Sequence, residues 1–150
     1  MPIRAVAYVS TACSEIAEHD ALGIGSGKLD AVVEGAARFN RQAGVTGVLL
    51  FDGRRFFQYM EGPEDGLHVA YGRVLGASSH HDVIELQRGL VGRRLLPFWP
   101  MRWLPTDRAQ VSGLAKANWV GFKQRGDAAA TNATGMDLVA GVVEPHLLAG

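Results

Sequence analysis

The side chains of this chain that could do chemistry are a hydroxyl, two amides, an indole and a thioether on four separate segments. They are Tyr8, Asn40, Gln58, Trp99 and Met101. Gln58 has the firmest position, because it lies inside the apolar run FFQYMEG, where alternation along a strand puts it on the face of Phe56 and Met60. A neutral amide there must find hydrogen-bond partners or lower the stability of the fold. Gln58 is therefore the first candidate for a functional residue.

Each of these residues alone has an ordinary structural explanation. A tyrosine, tryptophan or methionine often fills a core, an asparagine often ends a helix, and a glutamine is often half-exposed on a strand. The functional interpretation depends on all five occurring together, because the fold predicted below brings the four segments to one region.

The motifs of the common catalytic sites do not occur in the sequence. There is no G-x-S-x-G, H-E-x-x-H or GxxxxGK pattern, and GIGSGK does not follow a predicted strand. His80 and His81 are adjacent, so their side chains diverge, and no third metal ligand is evident. We therefore predict neither an enzyme nor a metal site.

The composition excludes several classes of partner. Fifteen Lys and Arg balance fifteen Asp and Glu, so the net charge draws the chain neither to nucleic acid nor to an anionic membrane. No apolar run is long enough to span a bilayer. Cys13 is the only cysteine, which excludes an intramolecular disulfide and fits a reducing compartment. We predict a cytoplasmic protein.

Local patterns predict the elements that position the candidate residues. Residues 4–10 predict a strand, whereas residues 11–27 have weak periodicity and predict a loop, with room for one helical turn. Ser26 can cap a helix whose apolar positions recur at three and four residues and whose apolar face ends in Asn40. Gly44 suits the position just past that helix.

A β-hairpin is predicted next, because Asp52-Gly53 joins two apolar runs and is the strongest short turn signal. The predicted segments are strands at 45–51 and 54–61, a helix from Pro63, and strands at 82–91 and 95–104. Pro97 and Pro100 interrupt the last strand and favour an edge position.

This order of elements, β-α-β-β-α-β and one more strand, predicts an α+β fold of the ferredoxin-like kind. Two helices would cover one face of a five-stranded sheet. Residues 107–116 and 136–148 predict short helices that could cover the other face, separated by a small, polar linker at 124–135. We divide the chain into a domain of residues 1–104 and a C-terminal helical extension of residues 105–150.

The chain resembles the BLUF domains, which are blue-light sensors that use a flavin. The resemblance covers residues 4–103 and depends on four ordered motifs at matching separations. They are AYVS with Tyr8 and Ser10, ARFNRQAGVTGVLLF with Asn40, FFQYMEG with Gln58, and RRLLPFWPM with Arg94, Trp99 and Met101. Phe39, Phe51, Ser79 and Leu96 depart from the residues common in the family. The first 104 residues are then a BLUF-like domain of the short, single-domain type.

The resemblance implies a role for each candidate residue. An isoalloxazine ring would lie between the two helices, Asn40 would bind its polar edge, and Gln58 would bridge Tyr8 to the flavin. The implied cofactor is FAD, with FMN as the alternative. The implied cofactor-binding residues are Tyr8, Ser10, Val33, Ala36, Asn40, Gln58 and Met101, and the photoactive residues are Tyr8, Gln58, Trp99 and Met101.

The implied function is that of a photoreceptor. Light makes the flavin an oxidant, Tyr8 gives it an electron and a proton through Gln58, and recombination leaves the amide rotated or tautomerised. The changed amide would bias Met101 and Trp99 between two arrangements of the last strand. Because no effector domain follows, we expect the signal to pass through the last strand and the tail to a downstream signalling protein. We also expect a homo-oligomer.

Two other functions fit part of the pattern. An acylphosphatase-type hydrolase shares the order of elements, but it needs an arginine in a phosphate-binding loop, and TACSEIAEHD after the first strand offers none. An interaction module that has lost its flavin or its photoactivity fits better, because Phe39 could fill the slot between the helices. The colour of the purified protein separates these alternatives.

Overall fold

The fold is built on one five-stranded sheet. The computed structural model describes residues 3–21, 27–119, 122 and 134–147. The elements are β1 (Ile3–Ala12), α1 (Ser14–Ala21), α2 (Gly27–Ala43), β2 (Thr46–Phe51), β3 (Arg55–Pro63), α3 (Glu64–Leu75), β4 (His80–Leu90), β5 (Arg102–Pro105), α4 (Arg108–Lys116) and α5 (Gly135–Leu147). The strand order is β4-β1-β3-β2-β5, with only the β2–β5 pair parallel. The predicted α+β class is confirmed.

The sheet separates two hydrophobic cores. Along β1, Val6 and Tyr8 face the core that contains residues of α2 and α3, whereas Ala5 and Ala7 face the core that contains α4 and α5. This division follows from the alternation of side chains along a strand. The predicted layers are therefore confirmed: α2 and α3 lie on one face, where Ile16 of α1 joins them, and the C-terminal helices cover the other.

Backbone conformation and side-chain hydrogen bonds fix the termini of several elements, and Gly44 was predicted at one of them. Gly44 follows α2 with a φ of 75°, the left-handed conformation that commonly ends a helix. In the hairpin turn, Asp52 Oδ1 accepts hydrogen bonds from the backbone N–H groups of Arg54 and Arg55, at 2.9 and 2.7 Å. The side chain of Asp107 accepts a bond from Gln110 N and caps α4.

Two predicted segments were wrong in part. The stretch that predicted a loop contains α1. Among residues 14–17, the part of α1 whose side-chain burial is described, Ile16 alone is buried, which gives little periodicity to detect. The fifth strand covers only residues 102–105 rather than 95–104, because Pro97 and Pro100 have no N–H to donate to a ladder. The predicted cap Ser26 and most of the predicted linker lie outside the described residues.

The helix α5 is fixed at its start by reciprocal hydrogen bonds. The Asp137 carboxylate accepts from Thr134 N at 2.9 Å, and Thr134 Oγ1 accepts from Asp137 N at 3.1 Å, as in a capping box. Pro145 lies inside α5 without ending it. Within the described ranges, no helix combines the length and the apolar character needed to cross a bilayer.

Candidate functional site

A cavity of about 250 Å³ lies between α2, α3 and the sheet. Its lining includes Val33, Ala36 and Ala70 from the helices and Tyr8, Gln58 and Met60 from the sheet. Small side chains leave the space open, and a few polar groups enter it from β1, β3 and the end of α2. A mostly apolar cavity with a few fixed polar groups is typical of a small-molecule site.

A chain of three side chains crosses the floor of this cavity. Tyr8 and Gln58 are directly opposite each other in the β1–β3 register, and the Tyr8 hydroxyl donates a hydrogen bond to Gln58 Oε1. Gln58 Nε2 donates to Met101 Sδ at 3.4 Å. A thioether can only accept, so the amide nitrogen must face Met101 and the amide oxygen must face Tyr8. The orientation of the amide is therefore set by its two neighbours.

Asn40 connects the end of α2 to the segment before β5. Its side chain is 3% exposed and lines the cavity. Its Nδ2 donates to Pro100 O at 2.7 Å, and its backbone carbonyl accepts from Val45 N at 2.9 Å. Asn40 thus lines the same cavity as Gln58 and also holds the residue next to Met101.

His80 is a site residue that the sequence analysis missed. Its Nε2 lies 2.7 Å from Val74 O, and its Nδ1 lies 2.7 Å from Ser10 Oγ. Because a carbonyl only accepts, Nε2 carries a proton and donates to Val74 O, while Nδ1 is hydrogen-bonded to the hydroxyl of Ser10. The ring lines the cavity, with its centroid 5.8 Å from that of Tyr8. The described residues contain no group of three metal-binding side chains.

The structure separates Trp99 from Met101. Both are 8% exposed, but Met101 belongs to the core on the cavity side, and Trp99 belongs to the core on the α4–α5 side. There the Arg102 guanidinium lies 4.6 Å from the centre of the Trp99 ring. Met101, and not Trp99, is therefore the neighbour of the Gln58 amide in this structure.

Phe39 does not fill the cavity. It is absent from the cavity lining, and its ring lies 4.4 Å from the guanidinium carbon of Arg73, across from α2 to α3. This position removes the reason given above for expecting that Phe39 blocks a ligand.

Burial keeps the tyrosines protonated. Burial, and to a smaller extent the charge of Tyr71, raises the pKa of Tyr8 well above its usual value. Burial, followed by the charge of Glu61, raises the pKa of Tyr59. Burial and a hydrogen bond to Glu85 raise the pKa of Tyr71 to about 12. Tyr8 is therefore a hydrogen-bond donor at any physiological pH.

These shifts predict a loss of stability in alkali. In the unfolded chain the tyrosines release their protons near pH 10, whereas in the folded chain they keep them, so the free energy of unfolding falls as the pH rises above 10. Each protonated buried tyrosine contributes a slope of about 1.4 kcal/mol per pH unit. Urea unfolding between pH 9 and 11.5 measures this slope. Tyr59→Phe should make it shallower by one such contribution, and an unchanged slope would contradict the assignment.

The chain is similar to proteins that respond to light. A model of the BLUF family, described as sensors of blue-light using FAD, matches residues 3–102. The blue light- and temperature-regulated antirepressor BluF of Escherichia coli (strain K12) is 41% identical over 59 residues, which are 39% of this chain and 15% of that protein. Photoactivated adenylate cyclase subunit beta of Euglena longa is 29% identical over 82 residues, 55% of this chain and 9% of that one. The similarity covers a small part of both relatives.

Solved structures share the arrangement of strands and helices. Klebsiella pneumoniae BlrP1 with FMN and cyclic diGMP has a TM-score of 0.58 at 31% identity, over 69% of this chain and 26% of that chain. The dark-state structure of BlrB, a BLUF protein, has a TM-score of 0.63 over 94% of this chain and 97% of that chain; at 20% identity it shows a likeness of fold. Since the family match spans residues 3–102 of the 150, the chain belongs to the BLUF family of blue-light sensors.

Proposed function

We propose that this chain binds a flavin in the cavity between α2 and α3 and that the Gln58 amide is its light-operated switch. The observation that carries the proposal is the hydrogen-bond chain from Tyr8 through Gln58 to Met101 at the cavity floor. The amide has a donor at one end and an acceptor at the other, so exchanging its ends changes both contacts at once.

The residues around the cavity fit a flavin. The lining is mainly apolar, which suits a flat aromatic ring, and its polar groups include amides and hydroxyls that match an edge with both donors and acceptors. A Cβ added to Gly35, one of the lining residues, would meet no heavy atom outside its own helix within 4 Å. When bound, the flavin would supply light absorption and, in its excited state, an oxidant for a nearby tyrosine.

The protein side chains then have distinct tasks. Tyr8 supplies an electron and its hydroxyl proton, and Gln58 relays the proton. Asn40 and Met101 hold the polar edge of the cavity, Val33 and Ala36 form its apolar wall, and Ser10 acts through His80. After the proton returns, Gln58 is left rotated or tautomerised, so that Met101 loses the amide donor that it has in the dark. Trp99 would follow Met101, since Pro100 is the one residue between them.

The signal would leave through the segment before β5 and the C-terminal helices. Trp99 packs in the same core as residues of α4 and α5, so a displacement of residues 99–101 reaches the second helical layer directly. We infer that the chain is a sensor without catalytic activity of its own, located in the cytoplasm, that self-associates and acts on a downstream signalling protein.

A light-minus-dark absorption spectrum tests the function. The purified protein should be yellow, and blue light should shift the flavin band reversibly to longer wavelength without bleaching it. A colourless protein that takes up no added flavin would instead support the alternative of an interaction module that has lost its cofactor.

The charge of Arg73 at the edge of the cavity leads us to expect a preference for a flavin that bears phosphate. Among the described residues that line the cavity, Arg73 is the one with a permanent charge, and its side chain is exposed at the edge of the cavity. Arginine pairs well with phosphate, but exposure weakens such pairs. We therefore expect Arg73→Gln to weaken binding of FMN and FAD about two- to tenfold and to leave riboflavin binding unchanged.

Fluorescence titration of the flavin-free protein with all three flavins measures this effect. The matched control is Arg38→Gln, because Arg38 is an exposed arginine of α2 outside the cavity lining. An equal loss of affinity for riboflavin would contradict a phosphate contact. FAD remains the proposed natural cofactor, with FMN as the alternative.

A further inference from the structure

The carboxylate of Glu61 is a buried charge that the proposed photochemistry does not use. Glu61 lies on β3 three residues after Gln58, and it is 0% exposed. Because side chains alternate along the strand, it faces away from the cavity, on the side of Tyr59. Burying a charge is costly unless hydrogen bonds compensate it, so the partners of Glu61 are informative.

Each carboxylate oxygen of Glu61 accepts one bond from a hydroxyl and one from the backbone. Oε1 accepts from Tyr59 Oη at 2.8 Å and from Leu95 N at 2.7 Å. Oε2 accepts from Thr46 Oγ1 at 3.1 Å and from Leu96 N at 2.8 Å. The backbone N–H groups of Leu95 and Leu96 can only donate, so both oxygens of Glu61 must accept, whereas an amide would present its NH₂ group to one of these donors.

The backbone donors belong to the β4–β5 connection, residues 91–101, which ends at the cavity. Arg94 lies beside them and donates to Thr46 Oγ1 at 2.9 Å and to Gly44 O at 2.6 Å. Further along, Trp99 O accepts from Gly47 N at 2.9 Å. Residues 97 and 98, between these attachments, are exposed. The connection is thus held at 94–96 and again at 99–101, and the first attachment depends on Glu61.

We propose that Glu61 is a positioning residue for the switch: its carboxylate holds residues 95 and 96 in register and thereby keeps Met101 against the Gln58 amide. The route is short, since four residues lie between Leu96 and Met101. The backbone of this stretch is also fixed to β2, through the bond from Gly47 N to Trp99 O. The inference about the switch depends on the proposed function, whereas the attachment itself does not.

Hydrogen exchange in the dark tests the attachment. In Glu61→Gln, one oxygen is replaced by an NH₂ group that faces donors, so we expect the amides of Leu95 and Leu96 to exchange at least about tenfold faster. Amides in the middle of β1 should change much less. NMR measures both in the flavin-free and the flavin-loaded protein, together with the methyl resonance of Met101, which should move. The control Tyr59→Phe removes one hydroxyl and leaves both backbone bonds, so residues 95 and 96 should stay protected.

Dark recovery of the light-induced band tests the positioning role. Glu61→Gln should change the recovery rate severalfold, and this change should vanish when Met101 is already replaced by leucine, because the effect passes through the thioether. Equal acceleration of exchange across all strands, an unmoved Met101 methyl resonance, or an undiminished effect in Met101→Leu would overturn the proposal.

Two further outcomes are also decisive. If Glu61→Gln does not fold, Thr46→Val takes its place, because it removes one donor from the carboxylate and one acceptor from Arg94. This variant should raise amide exchange selectively at residues 94–96. A uniform rise in exchange would again overturn the proposal. If the protein proves to have no photocycle, the proposed function fails, but the exchange data still decide whether Glu61 holds the connection.

Discussion

Replacing Tyr8 by phenylalanine is expected to abolish the light-induced red shift while the protein still binds flavin. The ring and its packing remain, but the hydroxyl that donates to Gln58 is lost, and with it the electron and proton donor beside the amide. Gln58→Leu should have the same effect for a different reason, because it keeps the approximate volume and removes the group that must exchange its partners. Both results would be read from light-minus-dark spectra of flavin-loaded variants.

The matched control is Tyr71→Phe. Tyr71 is a buried tyrosine of α3 whose ring centroid lies 6.0 Å from that of Tyr8, yet it is not among the residues that line the cavity. Its variant should retain the red shift. A normal photocycle in Gln58→Leu would refute the assignment of the switch to that amide, and loss of the photocycle in Tyr71→Phe would show that the spectra report disturbed packing instead.

Regular elements allowed the face on which Gln58 lies to be predicted from the sequence, whereas its pairing with Tyr8 was implied by the family resemblance. Alternation put Gln58 on the face of Phe56 and Met60, and the hairpin signal at Asp52-Gly53 fixed which residues form the strand. Asn40 followed from the period of a helix in the same way. Where the backbone is regular, the direction of a side chain follows from its position along the element.

Side-chain direction could not be predicted in this way for the irregular segment before β5. Trp99 and Met101 are two positions apart, so in a strand they would share a face. Both were therefore predicted as photoactive residues of the last strand. The structure puts them in different cores, because residues 95–101 are not a strand. His80 and Glu61 were missed for a related reason: their partners come from distant segments, and no local pattern reports such hydrogen bonds.

The second large effect concerns the C-terminal helices. Deleting residues 135–150 is expected to remove most of the stability of the domain. The deletion takes away Met136, Val139 and Val143, which are at most 2% exposed, and each buried side chain of this kind contributes about 1.5–3 kcal/mol. The sum is comparable with the 5–15 kcal/mol that a typical domain has in total. Thermal unfolding of the deleted protein should show a strongly lowered midpoint or no cooperative transition.

A pair of single substitutions tests the same layer without deleting it. A Cβ on Gly135 would lie 2.2 Å from Trp119 Cε2, whereas a Cβ on Gly113 in α4 would meet no atom within 4 Å. Gly135→Ala should therefore destabilise the protein by about 1–3 kcal/mol or more, and Gly113→Ala should stabilise it by up to about 1 kcal/mol through helix propensity. Urea unfolding measures both. If Gly135→Ala were neutral and the deleted protein still unfolded at its original temperature, α5 would be an appendage, and a signal from Trp99 could not reach a partner through the packing described here.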